Sequence, residues 1–100
     1  MDSETIAMTL IAYAGDAKTL AFKALKAAKV GDFKQADELM KESKTVLLKA
    51  HEAQTKLLVA EAKGEKTAIN VLLIHSQDHL MTSMLAQELI FEMIQMYEQK

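Results

Sequence analysis

Two glycines set the shape of this chain. Gly31 and Gly64 divide its 100 residues into thirds, no proline occurs, and the one other glycine, Gly15, lies inside the first third. Between the dividing points the sequence is rich in Ala, Leu, Lys, Glu and Met, residues that cost a helix least. Long runs of helix formers without a breaker predict helices, and short connections between them predict antiparallel neighbours. Gly31 follows the basic segment Lys26-Ala27-Ala28-Lys29 and suits the left-handed position past a helix C-terminus. Asp32 is then placed to cap the second helix, with Gln35 as the return partner of a capping box. Gly64 follows Glu61-Ala62-Lys63 in the same way, and Thr67 is the expected cap of the third helix. The expectation is a single all-α domain over residues 1–100, with helices near 3–29, 33–63 and 67–98 in an up-down-up three-helix bundle.

The apolar pattern supports the helices and exposes a surplus. Half the residues are hydrophobic, enough for a core without covalent staples. Ile6, Leu10, Ala14, Ala17, Ala21, Leu25 and Ala28 line one side of the first helix. Ala36, Leu39, Met40, Ser43, Val46, Leu47, Ala50, Leu57 and Leu58 recur at helical spacing in the second. Gly15 inside helix one predicts tight helix packing or a mild kink. The methionines Met81, Met84, Met93 and Met96 read as core filler, and the lysines of helices one and two as a solvated face.

Helix three has too much apolar surface for a lone bundle. With about 100° per residue and Asp78 at zero, Val71, Leu85, Leu89 and Met96 fall within about 20° of Asp78. A second apolar face about 120–180° away carries Ile69, Leu72, Leu80, Ile90 and Ile94. Only Asn70, Gln77, Glu88 and Gln95 form a plainly solvated strip. A three-helix monomer needs one apolar stripe per helix, so the second stripe predicts packing between copies of the chain. Asp78 is centred on that seam. A rotation axis there would gather several carboxylates, which repel unless a cation or a shared proton joins them. A hard divalent ion such as Mg²⁺ or Ca²⁺ suits such a cluster.

Several functions are disfavoured. The chain has no cysteine, which removes disulfides, thiolate chemistry and Cys-based zinc sites. Its net charge is −2, with acidic and basic residues interspersed, unlike the clustered basic face that nucleic acid demands. Met1-Asp2-Ser3-Glu4 lacks the features of a signal peptide, and no uncharged apolar run reaches the ~18–20 residues that span a bilayer. The expectation is a cytoplasmic protein that neither inserts in a membrane nor binds nucleic acid.

The chemistry concentrates in His75-Ser76-Gln77-Asp78-His79, which lies between the apolar runs Ala68–Ile74 and Leu80–Ala86. Burying a charge there costs several kcal/mol (order of magnitude) without a partner, so the cluster reads as a built site. His75 and His79, spaced i, i+4, could begin a zinc site with Asp78. A further ligand would have to be His51 or a distant acid. The other chemistry open to histidine is nucleophilic. A neutral imidazole nitrogen attacks phosphorus and forms a phosphoramidate that transfers readily, and a free imidazole, with a pKa of about 6.5, is substantially neutral near pH 7. Ser76 and Gln77 are local donors for phosphoryl oxygens, and His79 could donate or orient. His51, flanked by Ala50 and Glu52, reads as a hydrogen-bonded core residue.

Ile74-His75-Ser76-Gln77-Asp78-His79-Leu80-Met81-Thr82-Ser83 resembles the signature of the lactose/cellobiose (N,N'-diacetylchitobiose) enzyme IIA components of the bacterial phosphoenolpyruvate:sugar phosphotransferase system. Ala12-Tyr13-Ala14-Gly15-Asp16-Ala17 is similar to the family's opening motif. Lys29-Val30-Gly31-Asp32-Phe33 and Ala50-His51-Glu52-Ala53-Gln54-Thr55 are similar to its central ones. The resemblance covers nearly the whole chain. It implies a homotrimer of three-helix protomers forming a nine-helix bundle. It implies that His75 is the phosphoacceptor, that Gln77 and His79 lie close to the phosphoryl site, and that Asp78 gives one carboxylate per subunit to a metal, expected to be Mg²⁺, on the trimer axis. The implied relay takes a phosphoryl group from phospho-HPr and gives it to a cysteine of the cognate enzyme IIB, during uptake of a disaccharide such as lactose, cellobiose or diacetylchitobiose. No nucleotide is required. The rival expectation is a structural helical oligomer or adaptor in which His75 is a core residue.

Overall fold

In the computed structural model, which describes residues 2–100, three helices follow one another: α1 (Ser3–Lys29), α2 (Phe33–Ala62) and α3 (Val71–Glu98). The two turns close as the glycines predict. Gly31 and Gly64 have φ of 82° and 89°, the left-handed region that costs a side chain most. At each, two bonds tie off the preceding helix: Gly31 N–H to Ala28 O and Asp32 N–H to Ala27 O, then Gly64 N–H to Glu61 O and Glu65 N–H to Ala60 O. This paired pattern satisfies carbonyls that a helix end leaves open.

Two boundary expectations need correction. The Asp32 carboxylate does accept from the Gln35 N–H at 3.2 Å, but the reciprocal half of the capping box is absent. The Asp32 N–H that Gln35 would have to reach is already given to Ala27 O. The third helix starts at Val71 rather than at 67. Asn70, not Thr67, is its cap: extended at φ −141° and ψ 173°, it accepts from the Leu73 N–H at 2.8 Å. Thr67 and the exposed Ile69 belong to the connection instead. Asp2 caps α1, and hydrogen bonds from the Thr5 hydroxyl and the Glu4 N–H hold its carboxyl below the ordinary carboxylate range.

The core shows how the helices run. At one end Ile6, Leu10 and Ala17 of α1 meet Leu47 and Leu57 of α2 and Leu73 and Leu80 of α3. At the other, Ala21, Ala24 and Ala28 meet Ala36 and Met40, and Ile90 and Ile94. α2 is therefore antiparallel to α1, and α3 parallel to it, as an up-down-up order requires. The bundle is 51 × 21 × 16 Å.

Buried positions alternate by three and four along Ala7, Leu10, Ala14, Ala17, Ala21, Ala24 and Ala28 of α1, with Ile6 buried beside them, and along Leu73, Ser76, Leu80 and Ser83 of α3, with Ile90 and Ile94 resuming the stripe. This is the seven-residue spacing of helices packed nearly parallel. Six of those seven α1 residues are alanine, so α2 and α3 both approach α1 closely, and they touch each other far less than either touches α1. Between the two apolar clusters a polar tie joins all three helices. Ser43 Oγ donates to Ala17 O at 2.6 Å, and Gln87 Nε2 donates to Ser43 Oγ at 2.9 Å.

Of two further expectations, one is narrowed and one fails. Gly15 is half-buried, and a β-carbon placed on it would meet no heavy atom within 4 Å, so close packing does not explain it. His51 is exposed rather than in the core, because α2 buries the stripe through Leu47, Ala50 and Leu57, about 100° round the helix from position 51.

Candidate active site

The inner stripe of α3 orients everything that follows. With Leu73, Ser76 and Leu80 turned into the core, His75 and His79 lie one above the other on a flank of the helix. His75 is exposed and His79 half-buried. Their rings meet edge to face, at 88° and with centroids 4.5 Å apart. Nε2 of His79 and Nε2 of His75 are 3.0 Å apart, hydrogen-bond distance. A bond between two imidazole nitrogens holds one proton: one ring donates and the other offers its lone pair. When His79 donates, His75 carries its own proton on Nδ1 and presents an unprotonated Nε2 at the surface.

The other candidates point elsewhere. Ser76 Oγ is buried and donates to Leu73 O at 2.5 Å, so its hydroxyl is spent inside the core and is no donor to a group on His75. Gln77 is about 200° round the helix from His75 and faces α2. There its Oε1 accepts from Gln54 Nε2 at 2.6 Å, while its own Nε2 is buried without a partner in the protomer. The strip expected to be solvated therefore loses Gln77 to the α2 interface. Asp78 is exposed among the outer apolar residues Val71, Ile74, Met81, Leu85, Leu89 and Met96, all at least 49% exposed. These methionines and leucines are not filler of the protomer core.

A metal centre does not form within one protomer. Among the described residues no three His, Cys, Asp or Glu side chains converge, so His75, Asp78 and His79 do not make a zinc site, and His51 on α2 does not join them. Asp78 supplies a single hard oxygen ligand, and a divalent ion on this face would need copies of the carboxylate from other chains. Among the described residues, no helix is long and apolar enough to cross a membrane.

The family described as "PTS system, Lactose/Cellobiose specific IIA subunit" matches residues 5–98. This chain belongs to that family. It is a phosphotransferase-system IIA component, in which His75 and His79 share one flank of α3. It is 48% identical over 95 residues to the PTS system N,N'-diacetylchitobiose-specific EIIA component of Escherichia coli (strain K12), a match covering 95% of this chain and 82% of that protein. The IIA fold superimposes on the PTS cellobiose-specific enzyme IIA from Bacillus anthracis with a TM-score of 0.95. That likeness covers 99% of this chain and 91% of the other, at 44% identity. A solution structure of the IIA(chitobiose)–HPr complex of the Escherichia coli phosphotransferase system contains a chain that matches with a TM-score of 0.84 and 45% identity, covering 99% and 96%.

Two features beside these residues lie outside the candidates legible in the sequence. One is Gln54, which anchors Gln77. Its Ala-x-x-x-Gln spacing after Ala50 continues the α2 inner stripe, and a polar residue on such a stripe needs a partner. The other is a groove beside His79 lined by Gly15 and Lys18 of α1. Only the parallel offset of α1 and α3 reveals it.

Proposed function

We propose that this chain is a cytoplasmic phosphoryl carrier that accepts a phosphoryl group from phospho-HPr on His75 and passes it to the cysteine of the cognate enzyme IIB, during uptake of a disaccharide such as lactose, cellobiose or diacetylchitobiose. The observation that carries the reading is the exposed His75 whose Nε2 is paired with His79 Nε2. That pair holds the His75 ring still and keeps its Nε2 unprotonated, with the lone pair engaged by the His79 N–H until a donor arrives. In the first step the Nε2 lone pair attacks phosphorus of the donor phosphohistidine. A new N–P bond forms, the donor's N–P bond breaks, and the electron pair returns to the donor ring. His79 gives up its bond to that lone pair as the attack begins, and its N–H passes to a phosphoryl oxygen. In the second step a cysteine thiolate attacks phosphorus, a P–S bond forms, and the His75 ring recovers its electron pair and its hydrogen bond with His79. The chain acts mainly by positioning and electrostatics, as phosphoryl transfer requires.

The outer stripe of α3 supports a homotrimer. Around a threefold axis near Asp78, the flank carrying His75 on one α3 faces the flank carrying Gln77 on the next. The Nε2 of Gln77 is buried against α2 in the protomer, so its side chain would have to leave Gln54 to reach the neighbouring copy's His75. Three Asp78 carboxylates would hold a divalent ion, Mg²⁺ by the chemistry of an all-oxygen site, which would neutralise their mutual repulsion and take no part in the transfer.

The test is labelling from phosphoenolpyruvate through enzyme I and HPr. Acid-labile, base-stable label on His75 that chases to enzyme IIB is expected, with His75→Ala folded and unlabelled. A folded wild-type chain that takes no label would favour a structural adaptor. Sedimentation at the mass of a protomer would remove the trimer.

A further inference from the structure

His79 forms part of the wall of a groove between α1 and α3, with Gly15 on the opposite side. Lys18, Lys23 and Lys26 line the same groove, and no carboxylate does. Asp16 and Asp78, the acids next in sequence to Gly15 and His79, are exposed and are not part of the lining. The neighbouring groove over the first turns of α1 is different, lined by Asp2 and Glu4. The chain as a whole is slightly acidic, at −2, so a cation-lined groove beside the histidine pair is a local departure from its charge balance.

Gly15 fits the same picture. Glycine inside a helix costs about 1 kcal/mol relative to alanine, yet nothing in the protomer stands within 4 Å of the side chain it lacks. Gly15 leaves open the end of the groove next to His79. A helical rise of 1.5 Å per residue puts Lys18 about 4.5 Å along α1 from Gly15, and Lys23 and Lys26 about 12 and 16 Å along. Lys18 is therefore the lysine whose flexible arm serves the open end.

We infer that this groove is the cationic wall of the phosphoryl site, and that Lys18 stabilises the tetrahedral oxyanion once it is carried on His75. The inference rests on the phosphoryl-carrier reading. A phosphoryl group on His75 Nε2 occupies the space now bridged by His79. It brings about two negative charges beside His79, which lines a groove whose other charged residues are Lys18, Lys23 and Lys26; His75 itself lies just outside that lining. Lys18 thus favours the phosphorylated chain over the free one, independently of how partner proteins dock.

The equilibrium between phospho-HPr plus free chain and HPr plus phosphorylated chain isolates that effect, because contacts made only in the transient complex cancel from it. Wild type, Lys18→Met, Lys18→Arg and, as a matched loss of charge outside the groove, Lys29→Met are compared at low and high salt. Lys18→Met is expected to shift the equilibrium about three- to fivefold back toward phospho-HPr, the scale of an exposed ion pair, and the shift should shrink at high salt. Lys18→Arg should restore the wild-type constant, and Lys29→Met should keep it. An unchanged constant in Lys18→Met, or an equal shift in Lys29→Met, overturns the inference while labelled His75 leaves the carrier reading standing. A wild-type chain that takes no label sinks the carrier reading itself, and the inference with it.

Discussion

The two faces of α3 have similar apolar content and opposite surroundings. The inner face, Leu73 to Ile94, is closed by α1 and α2, and Leu80 there is wholly buried. The outer face, Val71 to Met96, is open in the protomer, and Leu85 there is 55% exposed. Their polar residues differ too. Inside, Ser76 and Gln87 are hydrogen-bonded within the chain, and Ser83 Oγ is the buried exception without a partner among the described residues. Outside, the Asp78 side chain is exposed. The apolar surface of one face is closed within the protomer, and that of the other is closed only with something laid on it. The histidine pair sits on the border between them, where a ring can be anchored from one side and approached from the other.

The contrast is largest in a pair of leucine truncations. Leu80→Ala should lower protomer stability by about 2–5 kcal/mol, the cost of a buried leucine with its cavity. Leu85→Ala should change the same quantity by no more than about 0.5 kcal/mol and act instead on assembly. Urea unfolding of the dissociated protomer, beside sedimentation equilibrium, separates the two. Equal losses of protomer stability would mean that the outer face is not an interface at all.

Asp78→Leu tests the outer face from the polar side. It should stabilise the assembly by about 1–4 kcal/mol, since apolar packing replaces buried charge, and it should abolish any dependence of the trimer on divalent cations. Thermal unfolding with and without a chelator reads both effects. Dissociation of this variant would show that the carboxylates are needed to hold the copies together.

The smallest effect belongs to Asn70→Ala, which removes the cap from which both faces begin. About 1 kcal/mol of stability should go with it, measured by urea denaturation. Thr67→Ala should leave stability within about 0.5 kcal/mol of wild type. The reverse ranking would restore the earlier helix start.

The three helices were legible because each depends on local chemistry: two glycines at left-handed positions, an Asp cap, and long breaker-free runs. The start of α3 was not, because Thr67 and Asn70 are both competent caps and the choice rests on how the connection packs. His75 stood out from its cluster, and the surplus stripe around Asp78 from simple helical angles. Ser76 and Gln77 adjoin His75 in sequence but not in space within one protomer. On a helix they point 100° and 200° away from His75. His51 was assigned to the core from its alanine neighbour, while the spacing of Leu47, Ala50 and Leu57 already put it outside. The role of Lys18 depends on which turn of α1 meets which turn of α3, and no periodicity within one helix carries that information.

The alanine face of α1 has a consequence for how far this protein can drift. Ala14, Ala17 and Ala21 are almost wholly buried, with α2 and α3 both packed close on α1, so little slack surrounds them. Any larger residue there must push apart two helices at once, because α2 and α3 both lean on the same narrow rail. The displacement would then reach the seam where Gly15 faces His79. Substitutions far from the histidines but on that rail should be among the least forgiving in the chain, while the exposed lysines of α2 remain free to vary.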